Sequence, residues 1–204
     1  MAEHRSRFCE NRDKALELFA CKGFGQVGMR ELASYLGLAP GSLYHHYPSK
    51  QHLLLDLIEE FYEELLATLG RIEQQPRSRR DNLQRLIHAH LHLYREMPWH
   101  FRLVERDSSC LTEDLQLRVR QLREQYERRL LLMLGRPRRL SAQALQAVGH
   151  AIATLLNSAP SWLAQQTLDD EERTELLESL LTGAIERVLA TKASSKPNLH
   201  IAVA

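Results

Sequence analysis

The sequence predicts an all-α protein in which a three-helix head with a helix-turn-helix is followed by a six-helix body. Leu, Ala, Glu, Gln and Arg dominate its 204 residues, and runs of β-branched residues are absent. This composition favours helices. Only nine Gly and seven Pro occur, and many of them separate long amphipathic segments. These breaks divide a nearly continuous helical pattern into its elements.

The head begins with a helix that is expected to end at about Lys22, because Gly23 suits the left-handed conformation after a helix. The next segment, "MRELASYL", is a short amphipathic helix. Its inward face is predicted to consist of Leu32, Ala33 and Leu36. Gly37 permits the positive φ of a sharp turn, so a third helix can follow at once.

The third helix is predicted to run from Pro40, a favoured first helical residue, to His46. Leu43 and Tyr47 are its expected buried residues. Its exposed face is predicted to consist of Gly41, Ser42, Tyr44 and His45. Two short helices joined by a tight turn form a helix-turn-helix, a motif that places its second helix in the major groove of DNA.

Caps and breakers delimit five helices in the body. They are expected over Lys50 to Gln75, over Asn82 to Glu96, from the cap Thr112 to Leu134, in a segment that Ser141 caps and Pro160 kinks, and in a last segment that opens on "TLDDEER". The dipole of that last helix favours acidic residues at its start. The expected domains are 1–48 for the head, 49–192 for the body and 193–204 for a flexible tail.

Composition indicates an ordinary globular protein of the reducing cytoplasm. Three scattered cysteines, Cys9, Cys21 and Cys110, fit neither a disulfide framework nor a CxxC metal site. The sequence contains no run of about 18 apolar residues, so no membrane span is expected. Residues 1–9 lack a signal-peptide core. The formal net charge is +1, but residues 1–50 hold seven basic and five acidic residues. This weak bias favours nucleic acid at the head.

The exposed face of the third helix has the chemistry for binding DNA. Glycine and serine allow the backbone to come close, Ser and His side chains can reach base edges, and a Tyr hydroxyl can reach a phosphate. Ser49 and Lys50 begin the following helix, whose free amides and ammonium are expected to form a phosphate site. The alternative is an elbow between helices in which these residues are incidental.

The stretch "MRELASYLGLAPGSLYHHYPSKQHLL" resembles the helix-turn-helix of the TetR/AcrR family of bacterial transcriptional regulators. "ALELFACKGFG" resembles the end of that family's first helix, so the resemblance covers about Ala15 to Leu54. It implies a homodimeric repressor without a cofactor, released from a double-stranded operator by a small-molecule effector. The residues that it assigns to DNA are Arg30, Pro40, Gly41, Ser42, Tyr44, His45, Ser49 and Lys50.

Five positions depart from the family's pattern. Asn11 and Arg12 stand where the family usually has apolar residues in its first helix. Val27 and Gly28 supply no hydroxyl where the family often has one for a cap and a phosphate contact, and Ala39 replaces a frequent Ser cap. The resemblance further implies that an N-terminal arm with Arg5 and Arg7 reaches phosphate or the minor groove. A solvated tail is the alternative for that arm.

The resemblance also implies an effector cavity in the body. Its expected lining is Trp99, His100, Phe101, Tyr126, His150, Asn157 and Trp162. The breaks near Pro98 and Pro160 predict a cavity between the fifth and eighth helices, where helices diverge. Because few charged residues interrupt the apolar stretches, the expected ligand is largely hydrophobic. Ordinary core packing is the alternative for each of these residues.

The eighth and ninth helices predict a homodimer. The ninth carries an apolar stripe too wide for one core contact, composed of Leu176, Leu177, Leu180, Leu181, Ala184, Ile185, Val188 and Leu189. A partner subunit is expected to cover part of it, with Leu181 in the interface. Burial within a single chain is the alternative.

Two other functions compete with the regulatory one. His88 and His92 lie four residues apart on one helix, which suits one edge of a metal site, so an all-helical metal-dependent enzyme is one alternative. No HExxH motif or second ligand cluster supports it, and no bound metal is expected. An effector-free DNA-binding protein is the other alternative. Basic loops at 77–80 and 136–139 are expected to form one patch remote from DNA.

Overall fold

Nine α-helices and two 3₁₀ turns make up the described part of the chain. The computed structural model describes residues 2–75, 77–137, 140–163 and 166–190. The helices are α1 (Ala2–Lys22), α2 (Met29–Tyr35), α3 (Pro40–His46), α4 (Lys50–Glu73), α5 (Arg79–Glu96), α6 (Pro98–Asp107), α7 (Glu113–Leu134), α8 (Ala142–Trp162) and α9 (Asp170–Leu189). No described helix is both long and apolar enough to cross a membrane.

Local chemistry sets most of these boundaries. Gly37, in the turn between α2 and α3, has a φ of +65°, a conformation that side chains with a Cβ avoid. The hydroxyl of Ser141 accepts a hydrogen bond from the Ala144 amide at 3.2 Å, confirming the predicted cap of α8. Asp169 and Glu172 form a reciprocal capping box at the start of α9.

The structure differs from the predicted helix boundaries at α6 and α5. The sequence analysis delimited no helix over Pro98–Asp107, which form α6, and α5 starts earlier than expected. The helix begins at Arg79 rather than Asn82. The hydroxyl of Ser78 accepts a hydrogen bond from the Asp81 amide at 3.2 Å, so Ser78 caps the helix three residues earlier than expected. The sequence prediction missed this cap because it assigned the polar segment "PRSRR" to a loop, and arginines suit loops and helices alike.

One continuous hydrophobic core joins the head to the body. The long helix α4 starts in the head and packs along α7 in the body, while α7 packs against α8 and α8 against α9. At Gly149, α8 packs tightly on α7, because a Cβ there would lie 3.2 Å from Leu131 and 3.3 Å from Glu127. The short helix α6 packs on α1 and α4, which gives the body a direct contact with the head.

Two predictions fall outside this description. The side chains of the proposed arm at Arg5 and Arg7, and the whole of the predicted tail 193–204, lie outside the described residues. The basic loops are described at 77–80 and 136–137 only. There, the position of a Cβ on Gly135 would lie 3.8 Å from Cδ of Arg79, so the two loops are neighbours in space.

Candidate nucleic-acid interface and effector cavity

The outer face of α3 is fully available to a partner molecule. All the residues predicted for this face, Gly41, Ser42, Tyr44 and His45, are exposed, and so is Pro40 before them. Tyr44 has 51% of its surface exposed, whereas Leu43 has 3%. On α2, Arg30 is exposed as well. One apolar residue therefore fixes α3 to the head, and its polar face is presented outward.

The exposed face of α2 contributes a residue that the sequence prediction missed. Tyr35 is 48% exposed at the end of α2, next to the turn that leads to α3. Its place in "MRELASYL" would also suit a core residue, so the letters alone did not separate the two possibilities.

Lys50 fastens the start of α4 to the turn between α1 and α2. Its Nζ donates hydrogen bonds of 2.9 Å to the carbonyl oxygens of both Phe24 and Val27, and lies 4.4 Å from the centre of the Phe24 ring. The prediction gave this ammonium to phosphate alone. Two of its three N–H groups are therefore engaged inside the head, which leaves one for a phosphate. The Phe24 carbonyl also accepts from the Val27 amide at 3.3 Å.

Ser49 occupies the predicted N-cap position of α4, but its hydroxyl makes a different bond. The Ser49 hydroxyl and Nδ1 of His52 are 2.9 Å apart, and no side-chain bond caps the amides of α4. The prediction that the Ser49 side chain caps the first turn of α4 is therefore wrong.

A chain of polar contacts links the end of α3 to the body through α1 and α4. The Tyr47 hydroxyl donates to Asp56 at 2.8 Å, and Nε of Arg12 lies 3.0 Å from the same carboxylate. The other end of the Arg12 guanidinium donates to Glu60 at 2.8 Å. Nε2 of His100, on α6, lies 3.4 Å from Glu60. The head and α6 therefore share one network of partly buried charges.

This network gives His100 a role different from the predicted one. The hydrogen bond from His100, followed by the charge of Arg12, holds the pKa of Glu60 below its usual value, although burial acts in the opposite direction. His100 is 7% exposed and faces α4. It is absent from the cavity wall because it is enclosed between α6 and α4.

A second contact from α6 holds the end of α1. The guanidinium of Arg106 donates to the carbonyl oxygens of Phe19 at 2.6 Å and Ala20 at 3.1 Å. The same group binds the neighbouring carboxylate of Asp107, which is 5% exposed. The Phe19 carbonyl also accepts from the Gly23 amide at 2.8 Å, and a cation at a helix C-terminus complements the helix dipole. These hydrogen bonds connect α6 directly to the end of α1.

A cavity of about 540 Å³ opens between α4, α6, α7 and α8. This volume is within the range of roughly 300–1,000 Å³ that small-molecule sites occupy. Its apolar wall consists of Phe61, Tyr62, Phe101, Val104, Val119, Tyr126 and Ala153. The predicted position between the fifth and eighth helices is wrong, because α5 contributes no wall residue.

The structure brings together four of the seven predicted lining residues: Phe101, Tyr126, His150 and Asn157. Trp99, His100 and Trp162 do not line the cavity. The two tryptophans are 36% and 50% exposed on outer surfaces. Aromatic residues near a helix break suggested a cavity wall, but the sequence could not show which way the breaks turn them.

The sequence prediction missed the charged residues of the wall. Arg120 and Arg123, one turn apart on α7, line the cavity together with Glu127. Glu127 is 5% exposed, yet it is paired: Nδ1 of His150 lies 2.9 Å from it. Nε of Arg123 lies 3.6 Å from it, an ion-pair distance too long for a hydrogen bond. Nε of Arg123 and Oδ1 of Asn157 are buried without a hydrogen-bond partner.

The histidine-rich helix α5 is used for packing. His90 is buried, and its Nε2 accepts a hydrogen bond from the Tyr126 hydroxyl at 2.8 Å. Burial lowers the pKa of His90 to about 4, so this ring is neutral. His88 pairs with Glu178 of α9 at 2.9 Å, and His92 is exposed. Among the described residues, no group of three or more potential metal ligands occurs.

The outer face of α8 and α9 is apolar in part. The inner stripe of α9, formed by Leu177, Leu181, Ile185 and Leu189, is buried within the subunit. The outer stripe keeps Leu176 48% and Leu180 43% exposed. The placement of Leu181 in an interface is therefore wrong: this side chain is 0% exposed in its own core. The wide stripe is therefore two stripes, an inner one buried within the subunit and an outer one that is partly exposed.

The head also matches known proteins. Residues 12–57 match the model described as "Bacterial regulatory proteins, tetR family". The head is therefore a TetR-family domain. The HTH-type transcriptional repressor KstR2 of Rhodococcus jostii is 31% identical over 81 residues, which are 40% of this chain and 40% of that protein. The chain thus spans about two fifths of the length of this curated relative.

Solved structures of TetR-family proteins extend the likeness to the body. A bacterial regulatory protein in the tetR family from Rhodococcus RHA1 superposes with a TM-score of 0.70 at 21% identity, over 90% of this chain and 95% of that one. AibR, described in complex with isovaleryl coenzyme A and operator DNA, has a TM-score of 0.69 at 16% identity, over 86% of this chain and 98% of that one. At such identities the likeness concerns the fold.

Proposed function

We propose that this chain is a cytoplasmic, homodimeric transcriptional repressor of the TetR family that a small molecule releases from its operator. The observation that carries the proposal is the outward polar face of α3, held on the head by Leu43, which is 3% exposed. Gly41 and Ser42 lie in its first turn, where close approach to base edges is possible. The family match over residues 12–57 includes this whole helix.

The head residues divide into two groups of contacts. Ser42 and His45 meet base edges in the major groove, and Tyr44 donates its hydroxyl to a phosphate. Pro40 and Gly41 bring the backbone close to the DNA. Arg30, Ser49 and Lys50 lie beside the backbone, with Lys50 using the N–H that its two carbonyl partners leave over.

The cavity provides the effector site, and α4 and α6 provide the coupling. Phe61 of α4 and Phe101 of α6 line the cavity, while other residues of α6 hold α1 and α4. A ligand that shifts α6 changes the position of α1, and hence the spacing of the two heads in a dimer. A coupling of about 1–3 kcal/mol is usual between two such sites. AibR, a neighbour of this fold, is described with both isovaleryl coenzyme A and operator DNA.

Dimerisation through α8 and α9 explains the exposed outer stripe. Leu176 and Leu180 on α9 and Trp162 at the end of α8 are large apolar residues between 43% and 50% exposed. A two-fold axis would place the same patch of each subunit against the other. Two heads related by that axis read an inverted repeat, with half-sites one helical turn or a multiple apart.

Selection from a random double-stranded DNA library tests the proposal. The wild-type protein should enrich a near-palindrome, and gel filtration should show a dimer at micromolar concentration. Enrichment of no sequence motif, together with a monomeric protein, would reject the regulatory proposal as a whole.

The two competing functions have less support. An effector-free DNA-binding protein needs no cavity of about 540 Å³ in its body. A metal-dependent enzyme would need several ligands grouped beside His88, and among the described residues no three potential metal ligands lie together. The regulatory proposal uses both the exposed face of α3 and the cavity.

A further inference from the structure

The arginines of α7 are not all used within the subunit. Arg118 pairs with Glu59, and Arg129 pairs with Glu73, both partners being on α4. Arg120 has no hydrogen bond or ion pair among the described residues, although it lies on the cavity wall. Arg123, one turn later, makes only the 3.6 Å contact between its Nε and Glu127. The cavity is thus bordered by guanidinium groups with donors to spare.

The two acidic residues of the wall lie on different helices, Glu127 on α7 and Glu105 on α6, so the α7 side holds two arginines against one carboxylate. The carboxylate of Glu127 already has Nδ1 of His150 at 2.9 Å, so it does not need the remaining donors of Arg123. Glu105, the other acid, belongs to α6 and is exposed on the rim, one helical turn from Arg102. The positive groups therefore concentrate on the α7 side of the cavity.

The rest of the cavity wall suits an apolar ligand that carries one further polar group. Phe61, Phe101, Val119 and Tyr126 present rings and methyl groups. The hydroxyl of Tyr126 is occupied, because it donates to His90 at 2.8 Å. Oδ1 of Asn157 is a buried acceptor without a donor, and buried acceptors normally have one.

We propose that the cavity binds an apolar ligand with an anionic headgroup, which Arg120 and Arg123 hold at the α7 side. This inference rests on the proposed function, since it names the chemistry of the effector in that function. Arginine binds carboxylates and phosphates in a paired, charge-assisted geometry. An N–H or O–H group on the ligand donates to Oδ1 of Asn157. A free carboxylic acid and a coenzyme A thioester both supply an anion joined to an apolar chain.

A series of probes with the same eight-carbon chain tests the headgroup. Calorimetry on the full-length protein would compare octanoate, octanoyl-coenzyme A, 1-octanol and octylamine. Free coenzyme A is the control that shows how much the acyl chain contributes to binding. At least one of the two anionic probes should bind tenfold or more tightly than the alcohol and the amine. Binding of octanoate indicates a free acid, and binding of the thioester alone indicates an acyl-coenzyme A. Anions that bind no tighter than 1-octanol, or no binding by any probe, would overturn the proposal.

Matched variants test whether Arg120 and Arg123 bind the anionic headgroup. Arg120→Gln, and the double variant Arg120→Gln with Arg123→Gln, should lose tenfold or more in affinity for the anionic probe. Their affinity for 1-octanol should stay unchanged. Arg118→Gln, on the same helix but paired with Glu59, should behave as wild type. The single variant keeps the contact of Arg123 with Glu127. It therefore still tests the proposal if the double variant does not fold. Equal losses in Arg118→Gln would contradict the assignment.

The two proposals fail in different ways. If 1-octanol binds as well as octanoate and releases the protein from DNA, the anionic headgroup is wrong and the ligand-responsive regulator stands. If the wild-type protein selects no DNA sequence, the proposed function fails whatever the cavity binds.

Discussion

Lys50 shows how one side chain can set the geometry of the head. Its ammonium bridges the carbonyl oxygens of Phe24 and Val27, so it ties α4 to the turn before α2. Hydrogen bonds from a charged group contribute about 1.5–3 kcal/mol. We therefore expect Lys50→Met to lower the free energy of unfolding by about 2 kcal/mol, measured by urea denaturation.

Lys22 provides the control for that measurement. It pairs with Glu31 at 2.6 Å, but its side chain is 56% exposed, and exposed pairs contribute about 0–1 kcal/mol. Lys22→Met should therefore change stability much less than Lys50→Met. Equal effects of the two substitutions would show that the carbonyl bridge has no special weight.

His90 makes the stability of the body depend on pH. Burial lowers its pKa to about 4 from 6.5, so between these values the unfolded chain binds a proton that the folded chain does not. The free energy of unfolding should be insensitive to this group above about pH 6.5. It should fall by about 3 kcal/mol as the pH drops from 6.5 to 4.

Two histidine variants separate this contribution from the rest of the chain. His90→Gln keeps an acceptor for the Tyr126 hydroxyl but does not titrate, so its stability should fall less between pH 6.5 and 4. His92→Gln, exposed on the same helix, should follow the wild type. The measurement is urea denaturation at several pH values, and identical slopes for wild type and His90→Gln would refute the account.

At the scale of elements, α6 is the connection between cavity and head. Val104 lines the cavity, and Arg106, two residues later, holds the last carbonyls of α1. Arg106→Ala leaves the carboxylate of Asp107, 5% exposed, without its main partner. We expect a loss of about 2–4 kcal/mol in stability, because an uncompensated buried charge is expensive.

The same variant should weaken the coupling between effector and DNA. Arg102→Ala, one turn earlier on the exposed side of α6, is the control and should leave both stability and coupling near wild type. Thermal unfolding measures the first property. The ratio of the DNA affinities with and without a bound ligand measures the coupling. If this ratio is the same in Arg106→Ala as in the wild type, the contact of Arg106 with α1 does not transmit the coupling.

The sequence predicted the elements of the head better than the contacts of the body. Gly37 and Pro40 defined the turn and the start of α3, because each has a strong backbone preference. Leu36 and Leu43 marked the inward faces, and both are buried. The walls of the cavity depend on how α4, α6, α7 and α8 pack. The spacing of Arg120 and Arg123 placed them on one face of α7, but a basic face is usually solvated, so nothing in the letters marked it as a wall.

At the scale of the whole molecule, the outer stripe of α9 predicts the oligomeric state. Leu180 is 43% exposed, so Leu180→Glu leaves the core of the subunit intact and places a charge in the proposed interface. We expect this variant to sediment as a folded monomer at micromolar concentration. Leu117→Glu, 51% exposed on α7, is the matched control and should remain a dimer. A dimeric Leu180→Glu protein would move the interface elsewhere.

The central claim is that the outward face of α3 binds DNA, and fluorescence anisotropy with the selected duplex tests it most directly. Tyr44→Phe removes one hydroxyl contact per subunit, about 1 kcal/mol each, so a dimer should lose about 2 kcal/mol, or roughly thirtyfold in affinity. His92→Ala, exposed on α5 in the body, should bind as wild type. If Tyr44→Phe and a further His45→Ala variant both keep wild-type affinity for this duplex, α3 is not the DNA-binding element.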